Sequence, residues 1–188
     1  GRRPMITNAL PYATPLIEQK DGTASAYVDE LRRLGVVTNV ILQSFDWNFL
    51  TAVHALEPTV RLGALGSGTL SATILNTISN SGARIVAWEK STITSNEVGL
   101  VHNAGMALYL WTVDGVEIKN FIDLGVDGII SNDPGMVKRL QQPSTNDPVA
   151  LGGHLVAYWR LDDGLADAFA TVVTDSKGTN AGTLRRND

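Results

Sequence analysis

The sequence contains no cysteine. Disulfide frameworks, thiol nucleophiles and thiolate zinc sites are therefore excluded, while the compartment is left open. Basic residues are in deficit: 15 Lys and Arg stand against 19 Asp and Glu, giving a net charge of −4 and a pI near 5.3. A sequence-independent nucleic-acid binder needs a basic footprint, so nucleic acid is not an expected partner. No apolar run reaches membrane-spanning length, and no membrane span is expected. Residues 1–10 carry two basic residues but no apolar core of signal-peptide length, so any signal of an exported parent is expected outside this sequence. Aromatics are sparse at 6%, but 44% hydrophobic and 18% charged residues over 188 positions make a globular chain of one domain, or one domain plus a fragment.

What is present is an alternation of short apolar runs and helical periods. Pro15–Lys20 starts as a buried strand and closes in the turn Asp21-Gly22-Thr23. Ala24, Tyr27, Val28, Leu31 and Leu34 then fall at helical spacing, with Gly35 as the stop. Val36–Phe45 reads as a second strand, and Asp46 as the cap of a helix with Phe49, Leu50, Val53 and Leu56 on its buried stripe. Further strands are predicted at Val60–Leu65, Arg84–Trp88, Met106–Val113 and Val126–Ser131. Helices are predicted at Ser71–Ser79, Asn96–Ala104 and Val116–Leu124, and from Asn132-Asp133-Pro134-Gly135 through Leu140. The strands are nearly continuous in apolar residues, the mark of a parallel sheet covered on both faces by right-handed βαβ crossovers.

The count gives about five or six βα units, whereas a closed (β/α)₈ barrel needs eight and about 250 residues. No glycine-rich phosphate loop follows the first strand, so a doubly wound nucleotide fold is unsupported. The expectation is a partial (β/α)₈ TIM barrel over residues 1–140, lacking its N-terminal units. Residues 141–153, with Pro, Ser, Asn and Gly, read as a linker. Residues 154–188 open with an alternating strand, Leu155–Leu161, and read as the first strands of an all-β module.

In such a barrel, chemistry sits at the C-terminal strand ends. There the sequence puts Glu18 and Lys20, then Gln43, Ser44 and Phe45, then Trp111, Asp114, Asn132 and Asp133. Strand alternation turns Glu18 and Lys20 to one face and Gln19 to the other. The pair has two readings: a structural ion pair, or a hard oxygen ligand beside a cationic anion donor. Trp111 is equally core filler or pocket wall, Gln43 and Ser44 are hydrogen-bonding spacers before they are catalysts, and Phe45 and Trp47 read as packing. Asp133 before Pro134 reads as a helix cap. His54 and His102 fall on helices, and no Ser-His-Asp order is visible.

Four segments in series, LIEQKDGT, ILQSFDW, LYLWTVDG and GVDGIISNDPG, resemble the second half of the glycerophosphodiester phosphodiesterase barrel over about Thr14 to Leu140. The resemblance implies metal-assisted cleavage of a small-molecule phosphodiester, with Ca²⁺ or Mg²⁺ as cofactor and two histidines as acid and base. It matches Glu18 to a metal-ligating carboxylate, Lys20 to the residue beside the phosphate and Trp111 to an aromatic wall of the alcohol pocket. Glu18 and Lys20 are thus the catalytic candidates, Lys20, Gln43 and Trp111 the substrate-binding ones, and Glu18 the metal ligand. The family's His-Arg-Gly, Glu-x-Asp and His-Asp motifs have no counterpart, and His54, His102 and His154 do not substitute by position. One glutamate does not hold such an ion, and each missing acid–base group forfeits about 10²–10⁴-fold in rate.

The tail, LVAYWRLDDG through TDSKGTNAGTL, resembles the opening of a concanavalin-like (laminin-G-like) jelly roll, a module of exported proteins. A secreted or periplasmic parent is the corresponding expectation. Three functions compete: a hydrolase with weak or altered activity, a self-assembling partial barrel that rebuilds a site between copies, and a non-catalytic carbohydrate-binding or adhesion fragment. Open sheet edges favour a homo-oligomer, since leaving hundreds of Å² of apolar surface in water forfeits several kcal/mol at roughly 25 cal/mol/Å².

Overall fold

The computed structural model describes residues 13–141 and the strand pair Val173–Thr174 and Ala181–Gly182. The chain divides into two compact units, Gly1–Tyr158 and Trp159–Asp188. In the first, strands and helices alternate: β1 (Leu16–Glu18), α1 (Ala24–Leu34), β2 (Ile41–Ser44), α2 (Trp47–Leu56), β3 (Arg61–Gly66) and α3 (Ala72–Asn80). They continue with β4 (Ile85–Glu89), α4 (Ser95–Asn103), β5 (Ala107–Trp111), α5 (Glu117–Leu124), β6 (Gly128–Ile129) and α6 (Pro134–Gln141). The six strands form one sheet in sequence order, parallel throughout, with a helix in each crossover connection. The result is an α/β curled half-barrel, an incomplete TIM barrel.

Local chemistry fixes the element ends. Thr23 caps α1 by accepting from the Ala26 N–H, and Gly35 stops it in the left-handed region at φ 67°. Asp46 accepts from the Asn48 and Phe49 N–H groups at the start of α2. Thr94 and Glu97 make a capping box on α4, and Asp133 Oδ1 takes the Met136 N–H at 2.8 Å. Alternation then sorts the strands into two faces. Leu42, Leu62, Ala64, Val86, Trp88, Leu108, Leu110 and Ile129 pack beneath the helices. Ile41, Leu65, Ala87 and Tyr109 pack on the inner face, with Leu16, Ile85, Ala107 and Trp111 against them.

Three departures from the sequence expectation have physical causes. The second strand is shorter than Val36–Phe45, because the Val36 N–H closes onto Leu31 O and Val37–Asn39 forms a 3₁₀ turn. The last strand is only Gly128–Ile129. Val126 N–H turns back to Phe121 O, although Asp127 and Ile130 still donate to Leu108 and Leu110 of β5. Leu56, assigned to the buried stripe of α2, is 46% exposed because it is the last residue of that helix, past the span the sheet covers. In the second unit, β7 (Val173–Thr174) and β8 (Ala181–Gly182) pair antiparallel. The expected strand Leu155–Leu161 and residues 142–153 of the expected linker lie outside the described residues.

Gly66 closes β3 where the Trp88 indole crosses it. A Cβ built there would lie 2.2 Å from Trp88 Cζ3. Gly66→Ala is expected to displace that ring and cost about 1–3 kcal/mol, read as a lower urea midpoint with an altered tryptophan emission.

Candidate functional site at the strand ends

Glu18 ends β1 on the inner face, with Gln43 of β2 as its partner across the ladder. Lys20 Nζ donates to Glu18 Oε1 at 2.8 Å; the lysine side chain is 62% exposed and the glutamate 12%. The same-face geometry is therefore that expected from alternation. Gln19 turns the other way, and its Oε1 accepts from Ser44 Oγ at 2.8 Å. Ser44 Oγ in turn accepts from the Asp46 N–H at 2.9 Å. This outer-face chain ties the ends of β1 and β2 together and uses up Ser44. Gln43 is buried, and its Oε1 has no hydrogen-bond partner among the described residues.

Trp111 ends β5, where its Nε1 donates to Ala87 O of β4 at 2.9 Å. The Trp111–Thr112 peptide bond that follows is cis. The Trp111 ring meets Phe45 edge to face, centroids 5.7 Å apart at 84°. Phe45, expected to be packing, is instead 56% exposed, and it carries the end of β2 to the end of β5. Gly63 and Ala87 on the intervening strands present little side chain to that face. The mouth thus has a charged side, Glu18 with Lys20, and an aromatic side, Phe45 with Trp111, with Gln43 between them in sequence and on the ladder.

Glu89 escaped sequence reasoning, which ended the fourth strand at Trp88. It closes β4, pairs with Trp111 in register, and accepts from the Ser91 N–H at 3.0 Å and from the Ser91 hydroxyl. Those Ser91 hydrogen bonds hold its carboxyl below the ordinary value. The signal was the same parity that pointed to Glu18. Trp47 is half-buried and donates to Leu65 O at 2.9 Å, so packing is its role. Asp114 reaches past the end of β6: Ser131 Oγ and Asn132 N donate to its Oδ1 at 2.7 and 2.8 Å, and Asn132 Nδ2 to its Oδ2 at 2.6 Å.

His54 and His102 lie on helices α2 and α4. His102 Nε2 pairs with Asp127 Oδ2 at 2.8 Å, while His154 lies outside the described residues. Among the described residues no three of His, Cys, Asp and Glu come together as a metal-binding group. Ca²⁺ and Mg²⁺ take six or more oxygen ligands, several from the protein or substrate. The donor set of one described chain does not fit that demand. What the mouth offers by itself is an ammonium for an anion, a carboxylate beside it and an apolar wall.

The glycerophosphoryl diester phosphodiesterase family matches over residues 11–136. The chain belongs to this family. No curated protein sequence gives a match. Among solved structures it resembles a protein from Silicibacter pomeroyi DSS-3 described as a glycerophosphoryl diester phosphodiesterase, with 22% identity and a TM-score of 0.61. That likeness covers 66% of this chain and 48% of the other. A glycerophosphodiester phosphodiesterase from Parabacteroides distasonis ATCC 8503 gives 20% identity and a TM-score of 0.56, over 66% of this chain and 55% of the other. An Oleispira antarctica phosphodiesterase, solved with the product sn-glycerol-3-phosphate, gives 17% and 0.53, over 62% and 48%. At these identities the likeness is one of fold, and the chain spans about half the length of the structures it matches. Among the described residues of this family member no helix is long and apolar enough to cross a membrane.

Burial raises the Asp114 pKa, but the hydrogen bonds from Ser131 and Asn132 outweigh it and leave the value below the ordinary 3.8. A lowered folded-state value means the carboxylate stabilises the fold above the unfolded value, and the contribution is lost as pH falls through the folded one. Asp114→Asn is expected to cost about 1–2 kcal/mol at neutral pH. In urea titrations, its deficit against the parent should shrink as pH drops below 3.8.

Proposed function

We propose that this chain binds a small phosphodiester at the C-terminal mouth of its half-barrel and hydrolyses it weakly, in a homo-oligomer. One observation carries the reading: in a chain of this family, Glu18 and Gln43 share the inner face at the adjoining ends of β1 and β2, Trp111 stands on the same face at the end of β5, and Phe45 links β2 to it. In this reading the Lys20 ammonium takes a phosphate oxygen, Gln43 orients the diester, and Trp111 with Phe45 shelters the alcohol group. An ammonium aimed at a developing phosphoryl charge is a recognised source of rate.

Glu18 is proposed as a ligand of a divalent cation, Ca²⁺ or Mg²⁺, which would supply Lewis-acid stabilisation when bound. A single chain's described residues do not complete such a site, so the remaining carboxylates come from a second copy. Association is supported by the sheet itself: among the described residues nothing pairs with the outer sides of β1 and β6. Phe45 at 56% and Val116 at 84% exposure add uncovered apolar surface. The likeness of the tail to modules of exported proteins supports a secreted or periplasmic parent acting on lipid-derived diesters.

Two measurements test this reading. Turnover of bis(p-nitrophenyl) phosphate should require added Ca²⁺ or Mg²⁺, and Lys20→Met should lower it on the order of 10²-fold. Glu18→Ala should abolish the metal dependence, whereas unchanged turnover removes Glu18 from the site. By light scattering after size exclusion, the chain should run as a dimer or higher; a strict monomer with full activity contradicts the shared site.

A further inference from the structure

At the opposite, N-terminal ends of β3, β4 and β5 lies an open hollow of about 540 Å³. Its polar lining is Arg61, Arg84, His54 and Thr59, and no Asp or Glu lines it. In a chain whose acids outnumber its bases 19 to 15, a carboxylate-free hollow with two guanidinium groups is a specific concentration of positive charge. Arg61 is exposed and has no carboxylate within ion-pair distance among the described residues. Arg84 is held at the rim by one nitrogen: its Nη1 donates to Ser79 O, Ser79 Oγ and Ala83 O at 3.2, 3.1 and 2.9 Å. The other donors of its guanidinium fork are uncommitted among the described residues.

His54 supplies the second observation. Its Nδ1 is buried without a hydrogen-bond partner among the described residues. A buried polar atom left so costs free energy. The ring can sit there because residue 82 is glycine: a Cβ at Gly82 would lie 2.3 Å from His54 Cγ. Two acids that bond lining Thr59 and the Leu108 N–H beside lining Ala107 are already engaged. Glu57 is held by Arg32 at 3.0 Å and by Thr59 Oγ1 at 2.6 Å, and Asp127 by His102 and the Leu108 N–H at 2.8 and 2.7 Å.

We infer that this hollow is a second anion site, taking a small doubly charged tetrahedral oxyanion between Arg61 and Arg84 with His54 at its wall. Guanidinium forks match tetrahedral oxyanions through paired, charge-assisted hydrogen bonds, and a phosphodiester monoanion would be held less well. The site lies at the strand ends remote from the Glu18 mouth and does not depend on the reading given for that mouth. Free phosphate and the phosphate end of a small monoester share this chemistry.

The test is an amide ¹⁵N titration of the full chain with inorganic phosphate and, separately, phenyl phosphate, against sodium chloride at matched ionic strength. Saturable shifts are expected at Gly82, Gly105 and Ala107, lost in chloride. If phosphate alone produces them the ligand is the free ion, and if phenyl phosphate binds at least as tightly it is a monoester end. Arg61→Gln should weaken binding by about tenfold or more, Arg61→Lys should recover part of it, and Lys20→Met should leave these shifts unchanged. The absence of saturable shifts at these amides overturns the inference, as do shifts that survive Arg61→Gln or vanish in Lys20→Met.

Discussion

The parallel ladder is the constraint on which the rest depends. Each strand of β1–β5 is hydrogen-bonded to its sequence neighbour with continuous register, so one choice of face, made once, propagates to every side chain in the sheet. The residues that meet the helices are aliphatic almost without exception. The inner face is narrower in its apolar set, and at the C-terminal ends it turns to Glu18, Gln43, Phe45, Glu89 and Trp111. A register slip of one residue in β1 would move Glu18 beneath the helices and Gln19 into the mouth. The Ser44 Oγ to Gln19 Oε1 hydrogen bond, which joins the two strand ends on the outer face, opposes that slip.

Electrostatics and packing divide the labour at the mouth. The Glu18–Lys20 pair is partly exposed, and a pair of that kind adds little to stability. Its position at a strand end, rather than its energy, is what gives it chemical interest. The aromatic contact between Phe45 and Trp111 does more for shape, because it spans strands that are not neighbours in the sheet. Asp114, with three hydrogen bonds to Ser131 and Asn132, plays the corresponding part beyond β5 and β6. These contacts set the height and width of the mouth without supplying a proton donor or a complete ligand set.

Much of this was legible in the residues. Helix caps at Asp46 and Asp133 follow from short polar side chains before apolar periods, and strand parity puts Glu18 and Lys20 together; Thr23, which reads as the end of a turn, is a cap as well. Element ends were less legible where two signals overlapped. The apolar run Val36–Phe45 holds both a 3₁₀ turn and a strand, and hydrophobicity alone does not separate them. Phe45 was misread because an aromatic after an apolar run has burial as its ordinary fate; only the bend of the sheet turns it toward Trp111. Glu89 is hard to see because the apolar run of its strand stops one residue before it, at Trp88. The hollow around Arg61 and His54 has no sequence signature, because its walls come from helix α2 and from strand starts and loops far apart in the chain.

Three strand ends, those of β1, β2 and β5, converge at the mouth proposed to take a diester. The most direct measurement is an amide and indole ¹⁵N map of the chain titrated with dimethyl phosphate, a diester too slow to hydrolyse during the titration, in the presence of Mg²⁺. The account predicts saturable shifts at residues 18–20, 43–45 and the Trp111 indole N–H. Absence of saturable shifts at these positions, with perturbation confined to helices or to the N-terminal strand ends, would contradict it.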